Sequence, residues 1–140
     1  MSRGVCFFLA GLLLAGLLLA GCGKAGYKDG VYTGRSGEDD TGAWGEVTIT
    51  ITRERIAGCQ FVTRQKDGTI KDENYGKVNG TISNQDYYDK AQLAVRAMEQ
   101  YARTYREAGD LKKVEAVSGA TIAFDQFTEA VETALEGAKK

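Results

Sequence analysis

The chain has 140 residues, of which 43% are hydrophobic, and its 18 basic and 19 acidic side chains leave a net charge of −1. This length supports one modest domain. The nearly balanced charge offers no basic face and argues against a nucleic-acid partner. The sequence has no His, which removes the commonest metal ligand and the commonest general base at neutral pH, and we predict no metal site.

The first stretch has the pattern of an export signal. Arg3 supplies a positive charge, and residues 5–21 carry no polar or charged side chain except the Cys6 thiol. A positive start, an apolar middle and an exit of small residues are typical of a secretion signal. The run is slightly shorter than the about 20 apolar residues that a membrane-spanning helix needs.

The residues LAGC at positions 19–22 resemble the cleavage box of bacterial lipoproteins, in which a Cys is lipidated and becomes the new N-terminus. This resemblance implies that residues 1–21 are a signal peptide. It also implies that lipid on Cys22 holds the protein at the cell membrane, facing outside the cytoplasm. Two alternatives are a plain signal peptide with an incidental Cys and an uncleaved membrane helix. In the lipoprotein interpretation, residues 22–28 are a tether and residues 29–138 form one domain.

The mature chain predicts three strands in its first half. Residues 29–34 form a short strand between glycines, and the turn formers of residues 36–45 predict a loop. Residues 47–52, VTITIT, alternate strictly and predict a strand with one buried face. Residues 56–63 can return beside it as the second strand of a hairpin. A loop-like excursion over residues 69–83 follows.

The second half predicts two helices. Residues 84–107 carry an apolar stripe at helical spacing, with Asn84 or its neighbour as the cap and Gly109 after the end. Residues 111–117 predict a short strand, and a second helix begins after Ser118. The resulting fold class is α+β, with two helices packed on a small, mainly antiparallel sheet.

The junction before the last helix, VEAVSGAT at residues 114–121, is the most informative segment. Ser118 takes the N-cap position, Gly119 and Ala120 add no bulk, and Thr121 falls at about the third helical position. A helix start favours anions through its free N–H groups and its dipole. We predict that a phosphate on the Thr121 oxygen would lie among those donors. The simpler alternative is an ordinary capped helix that starts Ser-Gly-Ala-Thr.

In its wider context this segment resembles the flavinylation motif of the FMN-binding domain family. That family includes one component of the sodium-pumping NADH:quinone oxidoreductase, a related component of the Rnf complex and small bacterial lipoproteins. The motif is matched by Glu115, Ser118, Gly119, Ala120 and Thr121. The opening strand at residues 27–32, the Gly-rich turn, the hairpin and the closing helix also resemble the family pattern.

The resemblance implies that Thr121 carries FMN through a phosphodiester bond, delivered from FAD by a separate Mg-dependent flavin transferase. The protein would then be a lipid-anchored electron carrier and not a stand-alone enzyme. Its partners would be membrane redox proteins or quinone-linked donors, together with membrane lipid. The alternative is a lipoprotein of the same fold without flavin, which acts as a binding or assembly module.

A few further side chains are candidates for weaker roles. Trp44, Tyr75 and Tyr87 are candidates for stacking on the flavin ring. Glu115 is a candidate for orienting the turn, with a solvated strand residue as the alternative. Cys59 is interpreted as a small buried hydrophobic residue and not as a redox thiol.

Overall fold

The protein folds around one three-stranded antiparallel sheet. The structure is a computed structural model that describes residues 26–140, so that Cys22 and the predicted signal peptide lie outside it. The strands β1 (Gly30–Glu38), β2 (Trp44–Thr52) and β3 (Arg55–Arg64) are adjacent in chain order. Together with two helices they form a small α+β domain, which confirms the predicted fold class.

The central strand shows why the alternating pattern predicts the sheet correctly. Val47, Ile49 and Ile51 on β2 are fully buried, while the residues between them are only partly covered. The predicted hairpin forms, and its turn places Arg53 and Glu54 in the left-handed region with φ of 52° and 61°. The turn is held because the Asp29 carboxylate accepts hydrogen bonds from both of their N–H groups, at 2.9 and 3.0 Å.

The first strand is longer than the sequence predicts. It continues to Glu38, because Arg35 pairs with Glu46 and Glu38 pairs with Trp44 across the sheet. The predicted loop over residues 36–45 therefore shrinks to residues 39–43. Asp39 closes this short turn by accepting hydrogen bonds from the N–H groups of Thr41 and Ala43.

The first helix, α1 (Gln85–Ala108), begins and ends as predicted. The Asn84 side chain caps it by accepting a hydrogen bond from the N–H of Tyr87 at 3.0 Å, and Gly109 ends it with φ of 64°. Its buried face comprises Ala91, Ala97, Met98, Tyr101, Ala102 and Tyr105.

The predicted strand over residues 111–117 is wrong. The chain forms a 3-10 turn at Leu111–Lys113 and then runs irregularly to the second helix, α2 (Thr121–Glu136). The cause is local, because the Asp110 side chain accepts a hydrogen bond from the N–H of Lys112 at 3.0 Å. Such a bond offers the backbone an alternative to a sheet ladder.

Both helices pack on the same face of the sheet, and Phe127 of α2 lies at the centre. Its ring is 5.0 Å from Phe61, 5.9 Å from Tyr101 and 6.0 Å from Tyr105 between centroids. Phe127 is completely buried. Contacts of this kind between aromatic rings stabilise a core beyond the area that they bury.

Gly34 sets how closely α2 approaches β1. A Cβ at this position would overlap the carbonyl oxygen of Ala130 and lie 2.5 Å from the amide nitrogen of Ala134. Since these neighbours are backbone atoms of a helix, they cannot move as a flexible side chain could. Only Gly allows the two elements to meet at this distance.

The two ends of the described chain lie together. Tyr27 forms an isolated bridge with Lys139, and the N–H of Lys28 donates to the carbonyl of Ala138 at 2.9 Å. Residues 26–28 therefore leave the domain beside its last residues, at the end of the sheet that carries the hairpin turn.

We expect Gly34→Ala to lower the free energy of unfolding by about 3 kcal/mol, at the upper end of overpacking effects, because the helix must move away from the sheet. Urea denaturation followed by circular dichroism measures the change. The matched control is Gly58→Ala on β3, where a Cβ would meet only the Thr50 side chain at 3.4 Å. Equal midpoints for the two variants would contradict the close approach at Gly34.

Candidate functional site

The predicted motif lies in a tight turn that leads directly into α2. The N–H of Ala120 donates to the carbonyl of Val117 at 2.9 Å. Gly119 has φ of +84°, and a Cβ there would meet the Leu93 side chain at 2.9 Å. The left-handed backbone favours Gly at this position, and a larger residue would also have to displace the end of the Leu93 side chain.

Tyr101 of α1 holds this turn in place from inside the core. Its hydroxyl accepts a hydrogen bond from the N–H of Val117 at 2.8 Å and donates one to the carbonyl of Ala120 at 3.1 Å. The Tyr101 side chain is completely buried. The start of α2 is thus fixed by a hydroxyl that comes from another helix.

The cap of α2 differs from the sequence prediction. Ala120, not Ser118, is the N-cap residue, and no side chain makes a capping hydrogen bond. Thr121 is consequently the first helical residue and not about the third. The physical reason is the turn at Gly119, which ends two residues after Ser118 and delays the helix.

This uncapped start leaves free donors beside the Thr121 hydroxyl. The first N–H groups of a helix have no partner within it, and here no side chain replaces one. Thr121 is an exposed residue. An anion at the start of α2 would meet these free N–H groups, and a Ser118 cap would have left fewer of them open.

A cleft of about 310 Å³ opens next to Thr121. Its apolar wall includes Ala94, Val95 and Met98 of α1 together with Ala123 of α2. Its polar side chains are Asp39, Thr41, Thr63, Lys71, Tyr75 and, on α2, Gln126. A mainly apolar concavity with a few convergent polar groups is the usual form of a small-molecule site.

Gln126 is the most unusual residue of this cleft. It is 5% exposed, and its Nε2 donates to the carbonyl of Ala43 at 3.0 Å and to Oδ2 of Asp39 at 3.4 Å. These two acceptors fix the orientation of the amide. Its Oε1 is buried and has no hydrogen-bond partner among the described residues. An unpaired buried acceptor costs about 1–3 kcal/mol, which a ligand donor would recover.

Charged and aromatic groups stand at the mouth of the cleft. Burial lowers the pKa of the Lys71 ammonium, and the Asp39 carboxylate partly offsets this effect. The Lys71 Nζ lies 5.0 Å from the ring centroid of Tyr75. Burial alone would raise the pKa of Asp39, but hydrogen bonds from Thr41 and Ala43 together lower it. Asp39 is therefore held as an anion beside the Lys71 cation.

The three aromatic candidates occupy different places. Tyr75 lines the cleft, and Tyr87 lines an adjoining pocket with Tyr75 and Lys71. Trp44 lies outside that lining. Its ring packs 4.1 Å from the Arg35 guanidinium, and its Nε1 donates to Glu46 at 3.1 Å on the other face of the sheet.

The remaining predicted residues are placed as follows. Gly119, Ala120 and Thr121 line the cleft, whereas Ser118 and Glu115 are exposed and lie outside its lining. Cys22 lies outside the described residues. Burial raises the pKa of the Cys59 thiol to about 12, so that the thiol stays protonated at neutral pH.

Sequence reasoning missed Asp39, Lys71 and Gln126. Only Gln126 carried a signal that could have identified it. It lies three residues after Ala123 and four before Ala130, on the buried stripe of α2. A polar residue at such a position requires partners or a ligand. Asp39 and Lys71 come from a turn and a long loop, which sequence patterns do not place in space.

Comparison with known proteins identifies the family. Residues 42–136 match the model of the FMN-binding domain. The fold is also similar to a crystal structure of a Clostridium perfringens protein, with a TM-score of 0.60 and 19% sequence identity over 81% of this chain and 93% of that one. No curated protein sequence matches the chain. Since the family match covers more than half of the chain, the chain belongs to the FMN-binding domain family, and it is a flavin-binding protein.

The cleft fits FMN on physical grounds. The isoalloxazine ring has an apolar dimethylbenzene end and a polar end that carries a ring N–H, and the cleft offers an apolar wall with an unpaired acceptor on Gln126. The ribityl chain of FMN ends in a phosphate anion, and the open start of α2 offers free N–H donors to it. Among residues 26–140, no group of three or more Cys, Asp or Glu side chains is arranged to hold a metal ion.

Within the part of the chain that the structure describes, neither helix is long and apolar enough to cross a membrane.

We expect Tyr101→Phe to lower the free energy of unfolding by about 1–3 kcal/mol, because the N–H of Val117 and the carbonyl of Ala120 lose their partner. Thermal or urea unfolding measures the loss. Tyr105→Phe is the matched control, since the Tyr105 ring is equally buried but its hydroxyl makes no hydrogen bond to any residue the structure describes. A Tyr105→Phe loss as large as that of Tyr101→Phe would contradict this account of the turn.

Proposed function

We propose that the protein is an exported, lipid-anchored flavoprotein that carries FMN covalently on Thr121 and transfers electrons outside the cytoplasm. The observation that carries the proposal is the position of Thr121. This exposed residue is the first of α2, beside uncapped N–H groups, and it lines the cleft. Few side chains combine an accessible nucleophile, an anion site and an adjoining ring-sized cavity.

Attachment requires a second protein, because a threonine hydroxyl is a weak nucleophile and no basic side chain of the described cleft contacts it. We propose that a separate flavin transferase activates the Thr121 hydroxyl. The Thr121 oxygen then bonds to the phosphorus of the FMN half of FAD. The pyrophosphate bond breaks, AMP leaves, and the hydroxyl proton is released. The resulting phosphodiester keeps one negative charge, which the start of α2 stabilises.

The remaining motif residues would let the transferase approach Thr121. Gly119 has no side chain, and Ser118 and Gly119 are both exposed on the turn. Glu115 is exposed close by along the chain, where a transferase could contact it. The Tyr101 hydroxyl keeps the turn in one conformation, so that the transferase meets a fixed backbone.

Within the cleft, this chain would bind and orient the cofactor. Oε1 of Gln126 would accept a hydrogen bond from a ring or ribityl donor. Lys71 would place a positive charge beside the bound cofactor. The apolar wall would exclude water from the ring. Bound FMN supplies one- and two-electron transfer, while the protein supplies position and electrostatics. The protein is then a carrier that exchanges electrons with membrane redox proteins or quinone-linked donors, not a stand-alone enzyme.

Lipid on Cys22 would give this carrier its location. Cys22 stands four positions before Gly26, where the described domain begins. An anchor of two or more acyl chains binds membranes stably, whereas one chain does not. Confinement near membrane partners raises their effective concentration, which suits a small electron carrier.

We expect Thr121→Ala to abolish flavin attachment when the protein is produced together with a flavin transferase. Intact-mass analysis should find one FMN adduct per wild-type chain and none on the variant. The matched control is Thr128→Ala, whose hydroxyl lies on the same helix and bonds the carbonyl of Phe124. The control should keep a full adduct. Wild-type chains without an adduct, or a Thr121→Ala chain with one, would overturn covalent attachment and favour a flavin-free or non-covalent role.

For the anchor, we expect Cys22→Ser to move the protein from the membrane fraction to the soluble fraction, because a Ser hydroxyl cannot form the thioether to lipid. Cell fractionation and immunoblotting measure the distribution. Cys59→Ser is the control and should stay in the membrane fraction. Membrane retention of Cys22→Ser that persists after a wash at about 1 M ionic strength, which screens attachment by charge, would point to an uncleaved helix instead.

A further inference from the structure

The charges of the domain are segregated between its two ends. We define the basal end as residues 26–29, 53–55, 106–113 and 136–140, and the cleft end as residues 38–44, 64–90 and 118–125. The basal end carries eight basic and five acidic side chains, a net charge of +3. The cleft end carries five basic and nine acidic side chains, a net charge of −4.

These two ends are opposite because every long element runs between them. β2 begins at the cleft end, where Trp44 pairs with Glu38, and ends at the basal end, where Ile51 pairs with Gly30. Both helices start at the cleft end and finish at the basal end. At 1.5 Å per residue, the 24 residues of α1 span about 36 Å and the 16 residues of α2 about 24 Å.

The basal end also contains a concavity whose charged lining is three arginines and two glutamates, Glu54 and Glu107. Arg53 and Arg55 of the hairpin turn line it together with Arg106 of α1. Arg53 and Arg55 are exposed and make no ion pair with any residue the structure describes, and Arg106 approaches Glu107 only to 4.0 Å. Two carboxylates of this end are already engaged. Asp29 binds the turn N–H groups, and Glu54 pairs with Lys140.

The point where the chain enters the domain is on this same basic end. Gly26 lines the concavity, and the apolar run of residues 5–21 precedes it in the sequence. An anchor attached there would place the basal end, with its three arginines, nearest the lipid headgroups. Each basic side chain close to an anionic membrane surface contributes about fivefold to membrane affinity, at roughly 1 kcal/mol per residue.

We propose that the basal end docks on an anionic phospholipid surface and holds the cleft end away from it. The proposal rests on the membrane anchor of the proposed function. Arginines bind the lipid phosphates, while the acidic cleft end is repelled by the same surface. Thr121 then stands about one α2 length, about 24 Å, from the headgroups. The electron partner therefore meets the cleft from the side that faces away from the bilayer.

Trp44 provides a native probe for this orientation, because it is the only Trp of the chain and lies at the cleft end. The full chain is incorporated into vesicles of phosphatidylcholine, alone or with phosphatidylglycerol, that contain lipid with a nitroxide on its headgroup. We expect the nitroxide to quench Trp44 less in the vesicles that contain phosphatidylglycerol. Raising the ionic strength from about 0.15 M to 1 M shortens the screening length from about 8 to 3 Å and should remove this protection.

The variant that tests the arginines is Arg53→Gln, Arg55→Gln and Arg106→Gln combined. It should lower the ratio of docked to undocked domains by up to about 100-fold, and Trp44 should be quenched equally in both kinds of vesicle. The matched control neutralises three cleft-end lysines, Lys66, Lys77 and Lys90, and changes the net charge by the same amount. It should leave the protection intact. Equal quenching of wild-type Trp44 in both vesicles, or loss of protection in the control, would overturn the orientation.

Flotation of the same samples separates this proposal from the anchor. A chain that floats with neutral vesicles is anchored, and the Trp44 measurement then decides the orientation. A chain that floats only with phosphatidylglycerol vesicles contradicts the anchor and supports docking by charge. A chain that floats with neither contradicts both.

Discussion

The hydroxyl of Tyr101 is the contact on which the candidate site depends. The ring of this residue belongs to the core, 5.5 Å from Phe124 and 5.9 Å from Phe127 between centroids. Its hydroxyl reaches past them to satisfy two backbone groups of the turn before α2. A buried hydrogen-bonded hydroxyl of this kind is costly to lose. The position of Thr121 therefore depends on the packing of the core, because Tyr101 takes part in both.

Close backbone approaches on the sheet side complete this arrangement. Gly34 lets α2 lie directly against β1, and at Gly45 a Cβ would lie 2.7 Å from Phe61 and 3.0 Å from Gln126. Because α2 lies so close to the sheet, the Gln126 side chain reaches the carbonyl of Ala43 and becomes buried. The unpaired Oε1 is thus a consequence of how tightly helix and sheet meet. A ligand that donates a hydrogen bond to this oxygen would gain the stabilisation that the domain lacks without it.

Local patterns predict most of the fold and part of the site. The alternation over residues 47–52 and the capped pattern over residues 84–107 place the hairpin and α1 correctly, because neighbours in sequence determine them. The predicted strand over residues 111–117 fails, since the Asp110 turn satisfies the backbone without a partner strand. Thr121 follows from its motif, but the cleft depends on Asp39 and Lys71, which only the tertiary structure brings beside it.

The bridge between Tyr27 and Lys139 means that the chain enters and leaves the domain at the same place. Domains whose termini lie close together at the surface tolerate fusion and insertion, because the host chain can enter and leave without stretching the fold. Here the two adjacent termini lie at the basal end, and Thr121 lies at the opposite, cleft end. Sequences could be added at either terminus, or the whole unit spliced into a larger protein, and the cleft would remain unobstructed. Such a layout suits a module that is reused in different molecular settings.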